Sequence, residues 1–377
     1  MEINEKLNIL VKLFPVLEDY IQKRKNPCSF SEEELKEILS LSKSNNILIV
    51  SYLALKNDGV VFPDQVEKNL NLYYTQNIRK TALFEEERKV LYKYMNERQI
   101  SFLPLKGILI NTLYPDYGTR EFADNDILFD QKHKKEIKEF FVGRGYEVES
   151  YGKYVHDTYL KKPVYNFEMH RILFQDTSRN KTMKVFENYY KDFLEHALVK
   201  DGYERKVSDE DFFLYFLCHF YKHYSNGGAG IRTLLDIRIY LIRHPDMDRN
   251  YLNQEYKKLN IQSFVDSILS LIDHLFLGKE LSKEEKDILL SMVDSGTYGN
   301  IETNVKNNMK KKTKAQYILS RIFPPLSFYK STYPIAYYSI IGIPFVFLYR
   351  LIRGVTVARS HTKKELETLN DKRSKDK

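Results

Sequence analysis

Apolar residues recur at helical spacing near the start of the chain. Leu7, Leu10, Val11, Phe14, Leu17 and Ile21 fall on one side of a helix predicted over 2–24. Ser31, followed by Glu32, Glu33 and Glu34, supplies an N-cap and first-turn acids for a second helix, with Leu35, Ile38, Leu39 and Leu41 along one side. A long helix with a charged outer face is predicted over 64–98, and no repeat period is visible. At Ile100 the texture changes. Phe102 to Leu105 predicts a short strand ending at Lys106–Gly107, then a helix over 108–113, stopped by the turn cluster Tyr114–Pro115–Asp116–Tyr117–Gly118. A second strand follows over 124–129, then an amphipathic helix over 131–143 closed at Gly145. Further strands are predicted over 146–151, 154–161 and 164–172. From Lys181 onward the pattern is mostly helical, punctuated by glycines across 227–230. The expected class is α+β: a small mixed sheet flanked by N-terminal and C-terminal helical segments. The expected divisions are 1–98, 99–178, 179–330, and an apolar segment with a basic tail over 331–377.

Length and composition refine this picture. At 377 residues the chain exceeds one average domain. The 29 tyrosines, 23 phenylalanines and missing tryptophan fit an AT-rich coding bias, so the aromatics carry little weight as a nucleic-acid signal. A net charge of +8 attracts nucleotides, nucleic acid or an anionic membrane face without choosing among them. Much of it sits at Arg350, Arg353, Arg359, Lys363, Lys364, Lys372, Arg373, Lys375 and Lys377, the pattern of a solvated basic tail. Cys28 and Cys218 form neither a disulfide framework nor a paired-cysteine motif, which fits a reducing cytoplasm. The opening residues lack the basic start and apolar centre of a signal peptide, and a cytoplasmic location is expected. Ser331–Tyr349 contains no charged residue. A buried helix or hairpin, interfacial membrane contact through 331–353, and a membrane span all remain open, with Pro334, Gly342, Pro344, two Ser and four Tyr opposing a span.

The chemistry concentrates in the alternating region. Asp124 and Asp126 are two apart on a predicted strand, so both carboxylates project from one side. Paired acids repel unless a cation joins them, and Mg2+ or Mn2+ takes carboxylate oxygens together with substrate phosphates. A solvated strand end explains the pair alone equally well. Asn166, Glu168 and His170 share one face of a later strand. If that strand lies beside the first, Glu168 becomes a third carboxylate at the same point; otherwise it is a polar residue on an exposed face. Lys106–Gly107 ends a strand before a helix, where backbone N–H groups and a lysine charge can meet phosphate.

The order strand, glycine, helix, then Asp-x-Asp, then a later acidic strand resembles the nucleotidyltransferase fold of DNA polymerase beta and its relatives. More narrowly, Leu105–Lys106–Gly107, Tyr114–Pro115, Arg120, Asp124–Asn125–Asp126 and Glu168–Met169–His170 resemble the bacterial "uncharacterised nucleotidyltransferase" family. The resemblance reaches over about 30–355, taking in His219, His223, Arg232, Asp236 and Phe323–Pro324–Pro325. It implies transfer of a nucleoside monophosphate from a nucleoside triphosphate to an acceptor such as a small molecule, glycan precursor or protein. Asp124 and Asp126 would hold two metals, Glu168 would hold the one nearer the nucleophile, and Lys106 and Gly107 would lie against the triphosphate. Two departures stand out. Ile108 follows Gly107 where relatives carry Ser, which favours a catalytically silent, nucleotide- or partner-binding relative as the alternative. Asn125 places a polar group on the packed face between the aspartates. His219 and His223 are four apart, a spacing that suits zinc, but Phe220 stands where a metalloprotease pattern has Glu. With Arg232 and His170 they are candidates to reach nucleotide or acceptor, against a purely structural use. For Arg120 a phosphate contact competes with a salt bridge. No separate nucleic-acid-binding motif is present, so a nucleic-acid polymerase role is not expected.

Overall fold

The computed structural model describes residues 3–176, 181–296, 299–309, 313–324, 326–339, 342–356 and 359–370, and the fold is α+β. Helices α1 (Ile3–Ile21), α2 (Glu32–Ser44), α3 (Leu48–Asn57) and α4 (Asp64–Glu97) precede the sheet. The Ser31 hydroxyl accepts from the Glu34 N–H, and the Glu34 carboxylate accepts from the Ser31 N–H, so a reciprocal cap fixes the start of α2.

Strand β1 (Phe102–Pro104) leads into the single-turn α5 (Gly107–Ile110), and β2 (Asn125–Phe129) into α6 (Lys134–Gly143). Then come β3 (Glu147–Ser150), β4 (His156–Lys161) and β5 (Tyr165–His170), helices α7 (Lys181–Tyr189) and α8 (Phe193–His196), and β6 (Leu198–Asp201) with β7 (Glu204–Lys206). Among the described residues these form one seven-stranded mixed sheet in the order β3-β4-β5-β2-β1-β7-β6. β2 runs antiparallel to β1 and parallel to β5. The β6–β7 hairpin extends the sheet inside a stretch that reads as helical. Every residue of β6 is exposed, so no buried face imposes a period of two.

The sheet separates two kinds of environment. One face packs Ile127, Phe129, Tyr159, Phe167 and Met169 against Leu91 and Met95 of α4 and Ile137 and Phe141 of α6. From the other side, Leu103, Leu105 and Leu128 enter a larger core that holds α1–α3 together with α9 (Asp209–Asn226), α10 (Arg232–Arg243), α11 (Arg249–Lys258), α12 (Gln262–Phe276) and α13 (Lys283–Ser295). Phe14 of α1 meets Phe276 of α12 edge-on at 4.9 Å, so the two ends of the helical region share one interior.

Helices α14 (Ile301–Met309), α15 (Lys314–Ile322), α16 (Leu326–Thr332), α17 (Pro334–Tyr337), α18 (Gly342–Val355) and α19 (Arg359–Asn370) follow. Val305, Tyr317 and Leu369 form a small core of their own. The basic tail is therefore not solvated throughout. Residues 359–370 dock as a helix through Leu369, Lys364–Glu302 at 3.3 Å and Arg321–Glu365 at 2.8 Å. Lys372, Arg373, Lys375 and Lys377 lie outside the described residues, as does Pro325. The apolar segment is not buried: Ile335 is 90% and Phe345 67% exposed. Pro334 opens α17 and Pro344 sits in the first turn of α18, dividing the stretch into short helices. No helix among the described residues is long and apolar enough to cross a membrane.

The end of α9 is locked to α14. Gly228 has φ +96°, and a Cβ there would fall within 2.1 Å of the Ser295 hydroxyl. The Asn300 N–H donates to the Gly227 carbonyl at 2.8 Å, and Gly299 packs against the same peptide.

Candidate active site

Asp126 pairs with Glu168 across the β2–β5 register, so strand alternation turns both carboxylates to one face. Asp124, just before β2, joins them. One oxygen from each of the three lies within 4.8 Å of the others. This face looks toward α9, where Tyr215, His219, Lys222 and His223 recur at helical spacing. Asp126 and Glu168 act electrostatically on both Tyr215 and Lys222.

Lys106 stands between β1 and α5 with φ +43°, a left-handed conformation costly for a lysine. That backbone delivers its Nζ to Asp126 Oδ1 at 2.7 Å, and His170 Nε2 reaches the same oxygen at 2.7 Å. Burial opposes the charge on Asp126, but Lys106 and the His170 hydrogen bond outweigh it and hold the carboxyl well below its ordinary value. Burial likewise opposes the Lys106 ammonium, and Asp126 overrides it. Burial and Asp126 raise Asp124, and the same two influences push Glu168 up to about 8. The three acids thus share one directly bonded ammonium, and two of them hold protons more tightly than usual. An oxygen-donor set short of positive charge fits a hard divalent cation.

The segment before β2 is held from both sides. Asn77 and Lys80 of α4 donate to the carbonyls of Gly118 and Phe122 at 2.7 and 2.6 Å. Arg232, the first residue of α10, donates to the Glu121 carbonyl. Lys80 and Arg232 both lie within electrostatic reach of Asp124. Asn125 is fully buried, and its polar group is answered: Arg88 of α4 donates to its Oδ1 at 2.6 Å.

Other sequence candidates have partners of their own in the fold. Arg120 donates through Nε and Nη2 to Asp236, both at 2.8 Å, while Tyr114 donates to Asp236 Oδ1 at 2.7 Å. The salt bridge takes Arg120, since a buried guanidinium needs a carboxylate. Gly107 has its own role in that arrangement, because a Cβ there would lie 2.7 Å from Arg120 Nη1. His170 is 3% exposed, and its Nε2 contacts Asp126 Oδ1. His219 and His223 face each other, Nε2 to Nε2 at 3.1 Å, with no third metal ligand among the described residues.

Two residues escaped the sequence reading. Lys222 lies between the two histidines on α9; burial and Lys106 lower its ammonium to about 8. His156 of β4 stands opposite His170. The two positions are equidistant from Pro163, so assuming a simple hairpin would have paired them.

Residues 31–277 match the family model described as "Uncharacterised nucleotidyltransferase". The start agrees with the expected extent, whereas the match ends well short of residue 355. No curated protein and no solved structure matches the chain.

Proposed function

The chain belongs to the uncharacterised nucleotidyltransferase family, and on that premise we propose that it moves a nucleoside monophosphate from a nucleoside triphosphate to an acceptor, with Mg2+ or Mn2+. The observation that supports this reading is the convergence of Asp124, Asp126 and Glu168, with the Lys222 ammonium of α9 within electrostatic reach of Asp126 and Glu168. Asp124 and Asp126 would hold the cation beside the triphosphate, and Glu168 would hold it on the acceptor side. Bound there, a divalent cation neutralises charge gathering on the transferred phosphoryl group. Lys106 fixes Asp126 and presents positive charge to the same phosphates, the service its unusual backbone secures. Lys222 and Arg232 would add positive charge beside the acids. Glu168 would help take the proton leaving the acceptor hydroxyl.

Asp124→Ala tests the reading. Calorimetry with nucleoside triphosphate and Mg2+, paired with a pyrophosphate-release assay, should show both signals lost in the variant. Pyrophosphate release undiminished in Asp124→Ala would falsify the metal role. Nucleotide binding by the wild-type protein without any pyrophosphate release would instead identify a silent relative.

A second reading concerns where the protein works. Ile335, Tyr338, Phe345, Leu348, Tyr349 and Ile352 are all more than half exposed, and Arg350 and Arg353 follow closely. We propose that α17 and α18 lie against an anionic membrane surface, apolar side chains inward and arginines at the headgroups. Wild-type protein should float with phosphatidylserine vesicles, and a Phe345→Ser/Leu348→Ser variant should stay behind. Equal flotation of the two overturns the proposal.

A further inference from the structure

The sheet face that carries the three acids continues past them. In the β4–β5 register His156 stands opposite His170, and Thr158 opposite Glu168, so Glu168 is the diagonal neighbour of His156. His156, Glu168 and His170 each offer a ligand atom, all within 4.8 Å of one another. His156 Nδ1 lies 3.5 Å from Glu168 Oε2, and His170 Nε2 lies 3.8 Å from the same oxygen. Metal–ligand bonds of about 2.0–2.2 Å set neighbouring ligands on the order of 3–4 Å apart, so these separations suit one ion. His156 Nδ1 is buried and makes no hydrogen bond, and neither does Nδ1 of the almost wholly buried His170. Buried polar atoms without partners are uncommon and costly. The His156 atom, which faces the Glu168 carboxylate, calls for a ligand.

We propose that His156, Glu168 and His170 form a second cation site beside the acidic triad, selective for a first-row transition ion such as Mn2+, Co2+ or Zn2+ over Mg2+. The donor set decides the selectivity. Mg2+ favours oxygen ligands and retained water, whereas two imidazoles with one carboxylate suit the later ions. Glu168 belongs to both groups. On binding, His170 turns its Nε2 lone pair to the ion, its ring proton residing on Nδ1, and Asp126 keeps its contact with Lys106. The site stands on donor geometry alone and does not depend on nucleotidyl transfer.

Pulsed electron paramagnetic resonance of the full chain with one equivalent of Mn2+, without nucleotide, tests it. Protein labelled with 15N at histidine should show two histidine nitrogens coupled to the ion, and His156→Gln should show one. Mn2+ affinity should fall about tenfold or more in His156→Gln, a loss typical of disturbed metal-site residues, and Mg2+ binding should hold. Asp124→Asn should keep both couplings. Bound Mn2+ with no histidine coupling, or couplings unchanged in His156→Gln, overturns the site. Should His156→Gln not fold, the labelled wild-type spectrum decides alone: two nitrogens support the site, fewer overturn it. A missing pyrophosphate signal in the transfer assay leaves these spectra untouched.

Discussion

Glu168 carries the clearest residue-scale consequence. Burial, with Asp126 beside it, pushes its carboxyl up to about 8, so in the cation-free protein it is protonated at neutral pH. A cation needs the carboxylate, and binding therefore releases a proton. The sign follows: cation affinity rises with pH toward about 8 and then levels off. Calorimetry in buffers of different ionisation enthalpy should register about one proton released per ion at pH 7 and almost none at pH 9; no proton release at pH 7 overturns the assignment. The stability sign runs the other way. The folded value exceeds the unfolded one, so the contribution is complete below the unfolded carboxyl range and is lost as pH climbs through about 8. At this scale much of the site was legible. Asp126 and Glu168 could be read because strand alternation is a strict rule, whereas Asp124, expected on the same strand, stands just before it. His156 could not, because a single histidine has no pattern until its hairpin partner is known. Arg120 kept two readings until the fold brought up Asp236, 116 residues away in sequence.

At the scale of elements, the joint between α4 and β2 governs where the aspartates stand. Asn125 interrupts an otherwise apolar packed face, and the structure answers it with Arg88 from α4. Replacing Asn125 by Leu leaves that buried guanidinium without its close acceptor, at a cost of about 2–3 kcal/mol. Thermal unfolding should show the loss, and Asn125→Leu/Arg88→Leu should recover most of it. A single-variant loss no larger than that of an exposed substitution removes Arg88 from this role. The strands of the sheet core were legible from their short apolar or alternating runs, although β1 and β2 are buried throughout. The exposed β6 gave no such signal, and the apolar C-terminal stretch is divided into short helices by prolines at their starts. Gly107 was legible as a turn, but its crowding against Arg120 depends on a chain segment that only the fold brings near.

Over the whole molecule, one face of the sheet packs an apolar layer against α4 and α6, while the other carries the acids beside residues that enter the larger helical core, and strand alternation makes that division. The α+β class was readable from the change of period at Ile100. The interior shared by α1 and α12 was not, because nothing local marks Phe14 as the neighbour of Phe276. The contact between the end of α9 and α14 reaches further than its size suggests. Lys222 and His223 lie within one to two turns of the peptide that Asn300 grips. The start of α14 is thus clasped to the end of α9, and a displacement of α14 would bear on the same end of α9 that carries Lys222 and His223.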